Sequence, residues 1–175
     1  MLSQSVQDAL NNQINLEFAS AYAYLAMSGY FESANLTGFA GWMRIQYQEE
    51  LTHALRLFDH MHDRGGTVRL DAIAEPKAKF KSALEAFEAA LAHEQKVTAS
   101  IHNLYALAAK ENDYATQTML QWFINEQVEE ERSVGQVVDW LKMAGDSPVA
   151  LLMLDQKLGQ RGSEAEDEGE AEAEA

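Results

Sequence analysis

The 175-residue chain has no cysteine, which removes disulfide frameworks, thiol nucleophiles and zinc knuckles from consideration and leaves the redox compartment open. Proline is almost absent as well. Pro76 and Pro148 both stand where a helix can begin. No apolar run approaches the roughly 20 residues a membrane span needs. The opening Met1-Leu2-Ser3-Gln4-Ser5 lacks the basic region and continuous apolar stretch of a secretory signal, so a cytoplasmic protein with no membrane partner is expected. Bases are scarce: 13 Lys and Arg face 28 Asp and Glu, a formal charge of -15. Seven of the acids lie in residues 162–175, which hold no base, so residues 1–161 carry thirteen bases against twenty-one acids, a net of -8. This excess argues against a nucleic-acid partner and is compatible with attracting cations. There is no glycine-rich nucleotide motif and no serine or cysteine triad.

What the chain has is helical periodicity. Residues 5–34 place Leu10, Ile14, Glu17, Ala21, Tyr24, Ser28 and Phe31 at alternating steps of four and three, the signature of one helix face. After the turn Asn35-Leu36-Thr37-Gly38, with Thr37 as candidate cap, residues 39–64 continue the pattern until Gly65-Gly66. The link from Thr67 to Pro76 is long enough to run the length of a bundle. It predicts a third helix, 77–110, parallel to the second, with a stripe over Phe80, Leu84, Phe87, Leu91, Glu94, Thr98, Ile101, Tyr105 and Ala108. A fourth helix is expected over 114–144. Ser147 and Pro148 then open a short fifth, 148–159, whose excess of apolar faces points to another subunit. The expected fold is all-α: a four-helix bundle, up-down-down-up, with a long crossover between helices two and three and a short C-terminal fifth helix. Residues 1–161 form one domain, and the Glu, Asp, Ala and Gly composition of 162–175 reads as a disordered acidic tail.

Each long helix carries one carboxylate at the centre of an otherwise apolar stripe: Glu17, Glu50, Glu94 and Glu130. A single such residue is more often a boundary glutamate reaching water. Four at matched heights converge with His53, which shares the inward face of Glu50, and their mutual repulsion calls for a cation. Five oxygen and nitrogen donors suit two divalent ions with one shared carboxylate. Gln127, one turn before Glu130, and Tyr24, two turns from Glu17, are candidate hydrogen-bonding neighbours, although each is as readily an ordinary buried polar residue. Trp122 reads chiefly as packing. Glu49, Glu126 and Glu129 fall on a neighbouring face where another cation could sit. Surface solvation is the bland reading for them and the preferred one for Glu131. His60, His62, His93 and His102 default to surface positions.

The set Glu17, Glu50-x-x-His53, Glu94 and Gln127-x-x-Glu130, over residues 5–160, resembles the bacterial non-haem ferritins. The resemblance implies a ferroxidase, with Glu17, Glu50, His53, Glu94 and Glu130 as di-iron ligands, Gln127 and Tyr24 beside them, and Glu49, Glu126 and Glu129 as a third iron site. It implies a homo-oligomer, a hollow twenty-four-subunit shell that oxidises ferrous iron with dioxygen or hydrogen peroxide and stores ferric oxy-hydroxide. Ser133 replaces the second histidine of bacterioferritins, and Thr52 stands where their haem-ligating methionine would be, so no haem is expected. A rubrerythrin-like peroxidase or oxygenase and a non-catalytic metal-buffering bundle are the rival readings.

Overall fold

The computed structural model describes the backbone of residues 2–173 and side chains of residues 2–160. Among the described residues there are five helices and no strand: α1 Gln4–Ser33, α2 Thr37–Asp63, α3 Ala83–Lys110, α4 Tyr114–Ala144 and α5 Pro148–Ala173. The ends follow local chemistry. Ser3, Ser82 and Asp113 accept backbone N–H bonds at the starts of α1, α3 and α4. Asn35 and Asn112 take positive φ in the two tight turns, and Gly65 does so after α2.

The crossover settles the topology. Leaving the end of α2, Thr67 bonds Gln7 and Asn11 near the start of α1, Arg69 bonds Asn11 and Asn15, and Asp71 bonds Asn15. Pro76 and Ala78 then lie beside Tyr22 and Leu25, and the Phe80 ring meets Tyr30 at 5.2 Å. The link thus climbs α1 from its first turns to its last, and α3 starts at the end of the bundle where α2 started. The up-down-down-up order follows.

Sequence expectations are corrected at several points. α3 begins at Ala83 rather than 77, because Ser82 caps it, accepting from the Glu85 N–H at 3.1 Å, while the Glu85 carboxylate accepts from the Lys81 N–H. Its buried stripe is also turned, from the expected Leu84, Leu91, Thr98 and Tyr105 toward Ala83, Ala86, Ala90, Val97 and Leu104. Alanines allow close approach of the helix, and the larger leucines pack along the flank. Thr37 is not the cap of α2: Leu36 holds that position without a side-chain bond.

The missing cap comes from a distant residue. Asp155 of α5, itself buried, accepts the Phe39 N–H at 2.9 Å. Gly38 makes this approach possible, since a Cβ there would fall 1.7 Å from the Asp155 carbonyl oxygen. Ser147 caps α5 as expected, accepting from Ala150. The helix runs past 159 to Ala173 through a stretch rich in Glu and Ala, both strong helix formers. The acidic tail beyond 161 lies outside the residues whose side chains are described.

Apolar packing forms two clusters. One gathers Met27, Phe31, Phe39, Trp42, Phe87 and Val137; the other gathers Leu10, Ile14, Leu57, Ile101, Leu120 and Phe123. Along every long helix the central carboxylate falls between the two.

Asp155→Ala should cost about 1 kcal/mol through loss of the cap, read as a fall of a few degrees in the unfolding midpoint. Gly38→Ala should cost more, because the α5 backbone must move. Thermal scans showing Gly38→Ala unchanged would contradict this docking.

Candidate metal centre

The polar layer between the two apolar clusters is built from one carboxylate on each of α1 to α4, with His53 of α2, at positions that would otherwise be core. Glu17, Glu50 and Glu94 are fully buried, and His53 and Glu130 nearly so. Ligand atoms of Glu17, Glu50 and His53 lie within 4.8 Å of one another, the only such trio of metal-capable side chains among the described residues. The short rise from Glu50 to His53 along α2 puts both on one face, with His53 Nδ1 3.7 Å from Glu50 Oε2. The imidazole is held edge-on by Trp122 and Phe123, at 5.4 and 5.8 Å between ring centres.

Four buried atoms of this trio meet no hydrogen-bond donor: Glu17 Oε2, both oxygens of Glu50, and His53 Nδ1, the Glu17 and Glu50 carboxyls facing each other at a range where they must share a proton or a cation. Native interiors rarely leave such groups bare, and the cost is greatest for charged ones. The remaining carboxylates are engaged. Glu94 accepts from the Tyr24 hydroxyl on one oxygen and from Gln127 Nε2 at 3.3 Å on the other. Glu130 Oε2 accepts from Gln46 Nε2 at 2.7 Å, and Glu17 Oε1 from Gln13 Nε2 at 2.8 Å.

Electrostatics agree with the geometry. Burial first, then the neighbouring Glu50 carboxylate, pushes Glu17 well above the usual carboxylate range. Burial, then Glu94 and Glu130, does the same to Glu50. Glu94 is also raised by burial, against the lowering pull of its bonds from Tyr24 and Gln127. Glu130 is pushed up to about 8 by burial, Glu94 and Glu49. Tyr24 is raised too, by burial and then by the surrounding carboxylates, so its phenol keeps its proton and donates it. Four acids with raised proton affinity around bare donor atoms make a site that either holds protons or exchanges them for cations.

The residues expected at the centre are therefore brought to one layer. The second acidic group is not assembled in the same way: Glu49 and Glu126 are half-buried, Glu129 is exposed, and they do not form a trio with converging ligand atoms. Glu131, expected on a solvated surface, is half-buried and accepts from Thr98 at 2.5 Å. His93 and His60 also depart from the surface default. His93 Nε2 lies 2.6 Å from Ser20 Oγ, and His60 Nε2 lies 3.0 Å from Thr116 Oγ1. Sequence reasoning assigned no role to Gln13 or Gln46. Each precedes a central glutamate of its own helix by one turn, and that spacing was the available signal.

A ferritin-like domain family model matches residues 7–144. A bacterial non-heme ferritin from Staphylococcus haemolyticus is 40% identical over 166 residues, covering 95% of this chain and 100% of that protein. Another, from Staphylococcus saprophyticus, is 42% identical over 161 residues, covering 92% and 96%. Among solved structures, an open pore ferritin from the hyperthermophilic archaeon Archaeoglobus fulgidus is 48% identical with a TM-score of 0.90, covering 91% of this chain and 98% of that one.

The raised Glu130 carboxyl carries a signed pH dependence. Between its ordinary value of 4.5 and about 8, the folded chain keeps a proton that the unfolded chain has released, so this group's contribution to stability falls as pH rises through that window. In metal-free protein, Glu130→Gln should therefore gain stability relative to the parent as pH goes from 5 to 8. Denaturation midpoints whose difference stays flat over that range would refute the assignment.

Proposed function

The chain belongs to the ferritin family, and from that premise we propose that it oxidises Fe(II) inside each subunit and stores the ferric product as an oxy-hydroxide mineral in a hollow shell of twenty-four copies. Iron is the substrate and cargo. The observation that carries the reading is the trio Glu17, Glu50 and His53, whose four bare donor atoms are buried at mid-bundle within reach of one ion.

In this reading Glu50, with both oxygens bare, bridges two ferrous ions. Glu17 and His53 complete one ion's shell, and Glu94 and Glu130 the other's. Ion entry displaces the protons that the raised carboxyls hold. Each iron then loses one electron. The two electrons, with two protons, reduce dioxygen to hydrogen peroxide, or hydrogen peroxide to two waters. Carboxylate ligands favour the product because their negative charge offsets the added positive charge on iron. Tyr24 and Gln127 hold Glu94 from opposite sides, which fixes its position before an ion arrives. Glu49, Glu126 and Glu129, beside this centre, form the third iron site in the same reading.

Assembly into a shell is supported by what the single subunit leaves uncovered. Val149, Leu152 and Met153 of α5 and Met143 of α4 are more than half exposed, an apolar face that a neighbouring copy can bury. The rubrerythrin-like alternative is disfavoured by Ser133, which stands where a second ligating histidine would be required.

Anaerobic loading of metal-free protein with Fe(II), followed by air, should give oxidation far faster than in buffer. Glu94→Ala should return the rate to that of buffer, while the particle sizes as a large shell. Oxidation no faster than in buffer rejects the ferroxidase reading, and a dimer rejects storage in favour of the oxygenase-type rival.

A further inference from the structure

The five polar ligand candidates do not present their atoms alike. Both Glu50 oxygens are bare, whereas Glu17 keeps Oε2 bare and has Oε1 occupied by Gln13, and Glu130 has Oε2 occupied by Gln46. Gln13 and Gln46 are themselves buried, at 1% and 0% exposure, so their amides have no solvent to turn toward.

The direction of the Gln13 amide is fixed from outside. Ser100 on α3 donates its hydroxyl to Gln13 Oε1 at 2.5 Å. With its carbonyl oxygen so engaged, the amide presents its NH2 to Glu17, and a chain of donors runs from α3 through α1 to one chosen oxygen of the ligand. Gln46 works across the other diagonal. It stands one turn before Glu50 on α2 and reaches over to Glu130 on α4. Its amide nitrogen donates to Glu130 Oε2 at 2.7 Å, the arrangement a metal-bound, ionised carboxylate requires, since it can only accept.

We propose that Gln13 and Gln46 are positioning residues that set carboxylate denticity: each occupies one oxygen of its partner and so biases Glu17 and Glu130 toward binding a cation through the other. Glu94, bonded on both oxygens by Tyr24 and Gln127, binds through a lone pair its donors leave open, and Glu50, which meets no amide or hydroxyl donor, is the one free to bridge. A carboxylate released from such a bond can close both oxygens onto one ion. That would take up a coordination position that water or an oxidant could otherwise occupy. The inference rests on the two-ion reading above and extends it to residues that touch no ion.

The test uses Co(II), a redox-stable probe, titrated anaerobically into the assembled metal-free protein, with a crystal structure of each Co(II)-loaded form. The parent should bind two Co(II) per subunit, with Glu17 and Glu130 each attached through one oxygen. Gln13→Met removes the donor at similar volume. It should weaken one ion about tenfold or more, as loss of a bond to a metal ligand generally does, and bring both Glu17 oxygens onto the metal. Gln46→Met should act likewise on Glu130 and on the other ion. Ser100→Ala, which deletes only the outer hydroxyl, should shift the same ion as Gln13→Met by a smaller factor, and it remains informative if the buried variant misfolds. One-oxygen attachment persisting in the variants, or both ions weakening equally in each, would overturn the inference while leaving the two-ion reading standing. Fewer than two Co(II) in the parent would overturn both.

Discussion

Carboxylates at the middle of a helical bundle cannot all be charged unless something positive sits among them. Transferring one ionised group from water to such a place costs several kcal/mol even after relaxation, and each further like charge nearby adds to it. Glu17, Glu50, Glu94 and Glu130 are placed in that position, and the nearest basic group is a single imidazole, His53. Burial raises all four carboxyls. Without metal, the layer must be neutralised by protons. Divalent ions neutralise it better, because they also satisfy the bare atoms that protons on a few oxygens leave exposed to apolar surroundings. The electrostatic liability of the empty bundle is thus the affinity of the loaded one.

The rest of the fold can be understood as support for that layer. Two apolar clusters, one toward each end, carry the burial that holds the four helices together despite an unfavourable centre. The crossover along α1 makes α2 and α3 run in the same direction, and with short turns elsewhere this aligns the four mid-helix glutamates at one height. Donors just outside the layer finish the work. Tyr24 and Gln127 fix Glu94, Gln46 fixes Glu130, and Gln13, oriented by Ser100, fixes Glu17. At the end where α2 starts, Asp155 closes the helix with a carboxylate delivered from more than a hundred residues away in sequence.

Much of this was legible in the chain because helical periodicity marks faces and a charge on an apolar face is conspicuous. Glu17, Glu50, His53, Glu94 and Glu130 stood out for that reason, as did the long crossover. What escaped depended on partners distant in sequence. The local candidate for the cap of α2 is Thr37, whereas Asp155 supplies it through tertiary contact. Periodicity alone runs the face of α3 through its leucines, whereas close packing buries its alanines. His93 and His60 looked like surface residues because nothing local announces Ser20 or Thr116 across an interface. Gln13 and Gln46 were unremarkable as sequence. Their roles exist only once α3 meets α1 and α2 meets α4.

The central claim is that protons and divalent cations compete for the same buried carboxylates. The most direct measurement is proton release when metal-free protein binds Zn(II) anaerobically in weakly buffered solution near neutral pH. This account predicts release of protons from the layer, diminished when Glu130 or Glu50 is replaced by glutamine. Binding of Zn(II) with no proton released, or release indifferent to both substitutions, would contradict it.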